Sequence, residues 1–257
     1  MKLSIVTVNL NNFEGLKKTI ASVVDQDYKD FEWIIIDGGS TDGSKELIAQ
    51  YTDYITYWVS EQDGGIYNGM NKGIQASYGE YLLFLNSGDC LYNKEVLANV
   101  VPLLKDRDFY VGDIANGTMK LKIKDEKELC SFLISFSLPH QATFTHRGVF
   151  KKYGMFREDI LIASDWWLSF TALILGNASI EKIPLSIVVY DWCGISSVQS
   201  ELLNLEREKL LSELPCVQCL CNFYRDNIKI VQALKASRLS FFVFRIYYYF
   251  YRHFFKQ

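Results

Sequence analysis

The sequence predicts an α/β protein: a mostly parallel central sheet with helices on both faces, followed by C-terminal helices. Three observations carry that reading. Short β-branched apolar runs alternate with amphipathic helical segments over the first 105 residues, the pattern of a parallel sheet covered on both sides. Four strand ends, at 9–11, 37–40, 60–63 and 86–89, are rich in Asn, Asp, Gly and Ser. Ligands of such sheets bind beyond the carboxyl ends of the strands, and turn chemistry alone accounts for one or two polar ends more easily than for four. Finally, 257 residues that are 49% apolar supply a full core for one large domain with an appendage.

Residues 3–9 (LSIVTVN) read as a buried strand, and Leu16, Ile20, Val23 and Val24 recur at helical spacing within 14–25. A second buried strand at 32–37 (EWIIID) leads through a Gly/Ser turn to a helix at 45–51. A strand at 55–59, a helix at 66–76, a strand at 80–86 (EYLLFLN) and a helix at 94–105 continue the alternation. Beyond residue 106 the pattern changes. Short strands are expected at 108–113 and 119–123, 126–136 is ambiguous, and 139–144 precedes a helix at 147–153. A strongly apolar helix at 164–175 (SDWWLSFTALIL), a strand at 182–190 and a charged helix at 200–214 complete the body. No repeat or low-complexity linker interrupts the chain, so 1–199 reads as one domain and 200–257 as a helical extension.

The net charge of −3 excludes a bulk nucleic-acid binder. That charge is uneven: from Lys235 onward there are five basic residues and no acidic one, which leaves 22 basic against 30 acidic in the first 234. In the stretch 237–257 (SRLSFFVFRIYYYFYRHFFKQ), Arg238, Arg245 and Arg252 fall seven apart, along one helical stripe. Arg245 interrupts what would otherwise be a span of roughly 20 apolar residues. A helix lying in a membrane interface, basic residues toward anionic headgroups, fits better than a crossing one. A helix packed on the body and a dimer interface are the alternatives, and a homo-oligomer is left open. Residues 1–9 lack a signal-peptide h-region, so the six cysteines are expected as free thiols in a reducing compartment. Cys216, Cys219 and Cys221 lack a fourth nearby ligand for a structural zinc site and read as packed or membrane-facing thiols. No G-x-G-x-x-G follows the first strand and no P-loop motif occurs, which argues against a dinucleotide oxidoreductase.

Five segments, SIVTVNLNN (4–12), IIIDGGSTDGS (34–44), SEQDGGIYNGMNKGI (60–74), GEYLLFLNSGDCL (79–91) and IASDWWL (162–168), resemble in order and spacing the family-2 glycosyltransferases with a GT-A-type fold. The resemblance is greatest to the branch that builds bacterial surface polysaccharides. It implies a nucleotide-sugar-binding half at 1–105 and an acceptor half at 106–199. Val8, Asn9 and Leu10 would line the nucleobase pocket. Asp37, Asp63, Asn71, Lys72, Asn86 and Ser87 would lie on the nucleotide-sugar edge. Members commonly carry a second Asp after the one matching Asp37, where this chain has Gly38. They also end the fourth strand in Asp-x-Asp-Asp, whose third position meets a divalent cation. Here the motif reads Asn86-Ser87-Gly88-Asp89, so Asp89 is expected to assist Mg²⁺ or Mn²⁺, with an amide oxygen from Asn86.

Asp165 matches the family's catalytic base, with Trp166 and Trp167 expected to desolvate it, raise its pKa and offer a sugar an apolar face. Helix capping by Ser164 or Asp165 is the bland alternative. His140, followed by Gln141, matches a His-Gln pair on the acceptor or diphosphate side, whereas His146 reads as structural. The implied activity is inverting transfer of a hexosyl or N-acetylhexosaminyl group from a nucleotide-diphosphate donor to a lipid-linked or polysaccharide acceptor. The implied location is the cytoplasmic face of the cell membrane. The rival expectation is a non-catalytic nucleotide-sugar-binding subunit.

Overall fold

The computed structural model describes residues 1–117, 129, 132–133, 136–192 and 200–214. It divides into two compact units, Met1–Val198 and Gln199–Gln257. In the second unit the described part is one helix, Ser200–Ser212, with a turn after it. The strand expected at 119–123, the tail 237–257 and Cys216, Cys219 and Cys221 lie outside the described residues.

Among its described residues, the first unit is built on a mixed sheet of eight strands, ordered β3-β2-β1-β4-β7-β6-β8-β5. Strands β1 (Leu3–Asn9), β2 (Phe31–Asp37), β3 (Tyr57–Ser60) and β4 (Tyr81–Phe84) pair in parallel. β1 is buried throughout and β2 at all but its first residue, which is why they read as continuous apolar runs rather than alternating ones. Register aligns Asn9 with Asp37 and Asp37 with Ser60, so three polar strand ends fall side by side.

Helices α1 (Phe13–Val24), α2 (Ser44–Ala49) and α3 (Ile66–Ala76) make the crossovers. Asn12 caps α1, its Oδ1 accepting from the Gly15 N–H at 3.1 Å. α3 lies close on β1: a Cβ added at Gly69 would come within 2.8 Å of Val8, and one at Gly73 would overlap Val6. Gly73→Ala is therefore expected to destabilise the fold by about 1–3 kcal/mol through overpacking, against a gain of about 1 kcal/mol in helix propensity. A lowered denaturation midpoint with an unchanged m-value checks this. At the opposite end of the sheet, buried Glu32 accepts hydrogen bonds from Ser4 and from the Tyr78 and Gly79 backbone, which satisfies an otherwise costly carboxylate.

The second half departs from expectation in its short elements. Strand β7 (Thr143–His146) runs antiparallel between β4 and β6 (Phe109–Ile114), in a stretch to which the sequence assigns no element. Its alternation of Thr, Phe, Thr and His has the period of a strand, but four residues are too few for the pattern to stand out. β5 (Cys90–Leu91), only two residues long, pairs with the end of β8 (Ile180–Val189). The helix expected at 94–105 is α4 (Val96–Val100) followed by a 3-10 turn, Val101–Leu103, where Pro102 has no N–H to donate. Likewise 164–175 is α6 (Ser164–Phe170) continued by a π-helical turn, Thr171–Leu175. α5 (Arg147–Tyr153) is capped by His146, whose Nδ1 accepts from the Gly148 N–H at 3.1 Å.

Candidate active site

The carboxyl ends of β1, β2 and β3 are tied together through Asp37. Its fully buried carboxylate accepts from Asn9 Nδ2 at 2.7 Å, Ser40 Oγ at 2.6 Å, Ser60 Oγ at 2.7 Å and the Ser40 N–H at 3.0 Å. Burial alone would raise its pKa, but these bonds outweigh it and hold the carboxyl below its ordinary range. Asp37 is thus ionised and fully engaged, so a ligand touching it must displace one of these partners. Gly38 follows, and Asp63 lies against it: a Cβ at Gly38 would come 3.0 Å from Asp63 Oδ2. Val8 is buried beneath α3, whereas Leu10 is 56% exposed at the rim.

The residues expected on α3 divide differently. Asn71 and Lys72 lie in its second turn. Asn71 is buried, accepts from the Phe156 N–H at 3.0 Å, and donates to Phe156 O at 2.9 Å and to Glu158 at 2.8 Å. Every polar atom of that amide fastens α3 to the 156–158 segment. Lys72 pairs with Glu61 at 2.7 Å.

The turn after β4 is held by α1. Thr19, fully buried, donates to Asp89 O at 2.8 Å and accepts from the Gly88 N–H at 3.0 Å, while Asn12 Nδ2 donates to Ser87 O at 3.0 Å. Gly88 has φ +107°, a conformation that excludes most side chains. The carboxylate of Asp191, from the chain just past β8, fills the space where a Gly88 Cβ would sit. Asp89 is 5% exposed, and its Oδ1 accepts the Asp191 N–H at 2.9 Å. Burial and the Asp191 charge push its pKa up to about 6, although that N–H and His140 pull the other way. Two buried side-chain oxygens, Asn9 Oδ1 and Asn86 Oδ1, find no hydrogen-bond donor among the described residues. They lie at the ends of neighbouring strands, where an unsatisfied oxygen costs about 1–3 kcal/mol until a ligand or ion meets it.

Beside this turn, His140 and Asp165 meet. His140 Nδ1 lies 3.2 Å from Asp165 Oδ2, and its Nε2 lies 3.4 Å from Asn86 Nδ2. Tyr67 Oη donates to Asp165 Oδ1 at 2.9 Å and sits against Ile162 O and the Ser164 N–H. The Asp165 side chain remains 14% exposed and that of His140 23%. Burial raises Asp165, yet the His140 hydrogen bond and charge, the Trp166 N–H and the Tyr67 hydroxyl together bring it below its ordinary value. The expectation that tryptophans would raise it is thus corrected: the decisive neighbours come from elsewhere in the chain. His140 is lowered by burial but raised more by Asp165 and Asp89, ending above its ordinary value. Burial, and then the Asp165 charge, keep the Tyr67 phenol protonated, as a donor must be.

Asp165 is not a cap. The N-cap of α6 is Ala163, without a side-chain bond, and the Asp165 carboxylate turns inward to its partners. Trp166, expected beside the acceptor, is instead core: it is fully buried, donates to Leu133 O at 2.6 Å and stacks on Phe170 at 5.2 Å. Trp167 is the partly exposed member of the pair. Tyr67 and Asp191 were missed by sequence reasoning. Tyr67 lies within SEQDGGIYNGMNKGI (60–74), where nothing local gives it a role, and nothing local marks Asp191.

Residues 4–162 match the model of glycosyl transferase family 2. A glycosyltransferase of Mycobacterium tuberculosis H37Rv, named as uncharacterized, is 33% identical over 211 residues, 76% of this chain and 77% of its own length. A PGL/p-HBAD biosynthesis glycosyltransferase of Mycobacterium bovis BCG is 26% identical over 214 residues, 81% of this chain and 83% of its own. Among solved structures, Staphylococcus aureus TarS 1-349 with UDP-GlcNAc superposes with a TM-score of 0.65 at 17% identity, covering 91% of this chain and 78% of that one. With UDP, the same fragment gives 0.61 at 19% identity over 74% of this chain, which spans only 60% of it. The mannosyltransferase PcManGT from Pyrobaculum calidifontis, bound to GDP-Man and Mn²⁺, gives 0.59 at 14% identity, covering 100% of this chain and 88% of that one. These structures share the GT-A fold. With the family model covering well over half of the chain, the protein belongs to glycosyl transferase family 2.

Proposed function

We propose that the protein transfers a hexosyl or N-acetylhexosaminyl group from a nucleotide-diphosphate donor to a lipid-linked or polysaccharide acceptor, with inversion. The observation that carries this is Asp165: an ionised, mostly buried carboxylate, oriented by Tyr67 and His140 beside the polar strand ends. In the reaction, the acceptor hydroxyl oxygen bonds to the anomeric carbon as the bond to the diphosphate oxygen breaks and its electron pair leaves with the nucleotide. The hydroxyl proton passes to Asp165. One displacement on the face opposite the leaving group inverts the anomeric centre.

The donor site would comprise the ends of β1 to β4, with Asn9 Oδ1 and Asn86 Oδ1 as waiting acceptors. The nucleotide ligands of TarS and PcManGT support a nucleotide-sugar donor. A divalent cation, when bound, would offset the charge that gathers on the departing diphosphate. No helix among the described residues is long and apolar enough to cross a membrane. The basic aromatic segment 237–257 supports peripheral attachment and a lipid-linked acceptor, and the relatives named for PGL/p-HBAD biosynthesis fit that class.

Calorimetric titration with UDP, GDP and their sugar conjugates, followed by NMR of the product anomer, tests the reading. Binding of one nucleotide class and an inverted product are expected. A retained configuration, or no binding by either class, would refute it.

A further inference from the structure

Resting on the transferase reading above, we propose that Asp191 supplies the cation-facing carboxylate that Gly88 lacks. A divalent ion would then be held by Asp191, the Asn86 amide oxygen and the donor's diphosphate. The turn after β4 carries glycine at its third position, and the Asp191 carboxylate occupies the volume that a side chain there would fill. A carboxylate is thus restored to the turn from about a hundred residues downstream.

The second observation is chemical. Asn86 Oδ1 is buried without a hydrogen-bond donor among the described residues, on the same turn. A neutral amide oxygen and a carboxylate are the donors a hard cation prefers. Third, Asp89, the acidic residue of the turn itself, is placed to act otherwise. It is nearly fully buried, and its Oδ1 holds the Asp191 N–H at 2.9 Å. Asp89 is therefore a positioning residue that fixes the backbone from which the Asp191 carboxylate projects. The neighbouring backbone is fixed as well: Tyr190 N–H donates to Asn116 Oδ1 at 2.9 Å, and Asn116 Nδ2 donates to Tyr190 O at 2.9 Å.

Among the described residues, no three His, Cys, Asp or Glu side chains form a cage. Magnesium-like ions do not need one where phosphate oxygens complete the shell, because one or two carboxylates then suffice. The cation is therefore expected to bind together with the nucleotide rather than to the protein alone.

Loss of the free Mn²⁺ paramagnetic resonance signal measures that binding directly, with UDP or GDP as the companion ligand. In the full chain, Mn²⁺ should bind only when the nucleoside diphosphate is present. Asp191→Asn should weaken that binding about 10- to 100-fold while leaving nucleotide affinity in excess chelator unchanged. Thermal unfolding without ligand checks that the variant is folded. Gly88→Ala, which drives a Cβ into the Asp191 carboxylate, should give the same selective loss. Wild-type Mn²⁺ affinity in Asp191→Asn would overturn the assignment, as would an equal loss of metal-free nucleotide binding, since Asp191 would then hold the loop rather than the ion. Wild-type protein that binds nucleotide with no response to Mn²⁺ would also overturn it, leaving the transferase reading intact. If neither nucleotide binds under any condition, both fall.

Discussion

Asp165→Asn is expected to lower kcat by about 10²- to 10⁴-fold, the span that a positioned general base contributes, while nucleotide affinity stays close to wild type and the protein remains folded, less stable only by what the charge pair with His140 contributed. The substitution keeps the size and planarity of the side chain. Its amide oxygen still accepts from Tyr67, 2.9 Å away, so the link between α3 and α6 persists. What disappears is an oxygen able to bind the acceptor's proton at neutral pH. Nucleotide affinity is spared because the ends of β1 to β3, tied through Asp37, do not touch Asp165, which reaches Asn86 only by way of His140. Single-turnover rates with the natural acceptor class, set beside calorimetric nucleotide binding, separate the two effects. Full turnover would remove Asp165 as the base, and a parallel loss of nucleotide binding would move it to the donor side.

The sequence made the first half of the fold legible because β1 and β2 are buried almost from end to end and α1 and α3 keep helical spacing. β5 and β7 escaped because so few residues do not make a period stand out without a flanking apolar run, and their places are set by partners far along the chain. For the site the division is similar. Asp165 and His140 stood out through motif resemblance, but their electrostatics did not. The neighbours of Asp165 in sequence are tryptophans, which suggest a raised pKa, whereas those in space are His140 and Tyr67, which lower it. Asn71 shows the converse. Its motif suggests a ligand contact, and its amide is instead fully engaged with Phe156 and Glu158. Gly38 and Gly88 read as missing carboxylates in one dimension. In three, Asp63 and Asp191 stand against those positions, and no local pattern announces a residue delivered from another strand end.

The His140–Asp165 pair predicts opposite pH trends for activity and stability. Asp165 is shifted down and His140 up, so between those limits the pair holds its proton on the imidazole. An imidazolium beside Asp165 opposes uptake of the acceptor's proton. Loss of that proton leaves Nδ1–H facing Asp165 and lets Nε2 accept from Asn86 Nδ2, which suits both observed contacts. Activity should therefore rise as pH increases through a macroscopic pKa of the pair lying above the ordinary histidine value. Stability runs the other way on that limb. A raised histidine contributes fully below its unfolded pKa, and the contribution is lost as pH climbs through the folded one; on the acid side, the lowered Asp165 loses its contribution as pH falls through its own folded pKa. His140→Ala should lower kcat about 10- to 100-fold by freeing the Asp165 carboxylate to turn. His140→Gln keeps an N–H for Asp165 but cannot titrate, so it should recover much of kcat while the acid limb of the profile moves to lower pH. Profiles of kcat for the three proteins decide the matter: an unmoved limb in His140→Gln would assign the titration to another group, and equal rates in both variants would leave His140 without an orienting role.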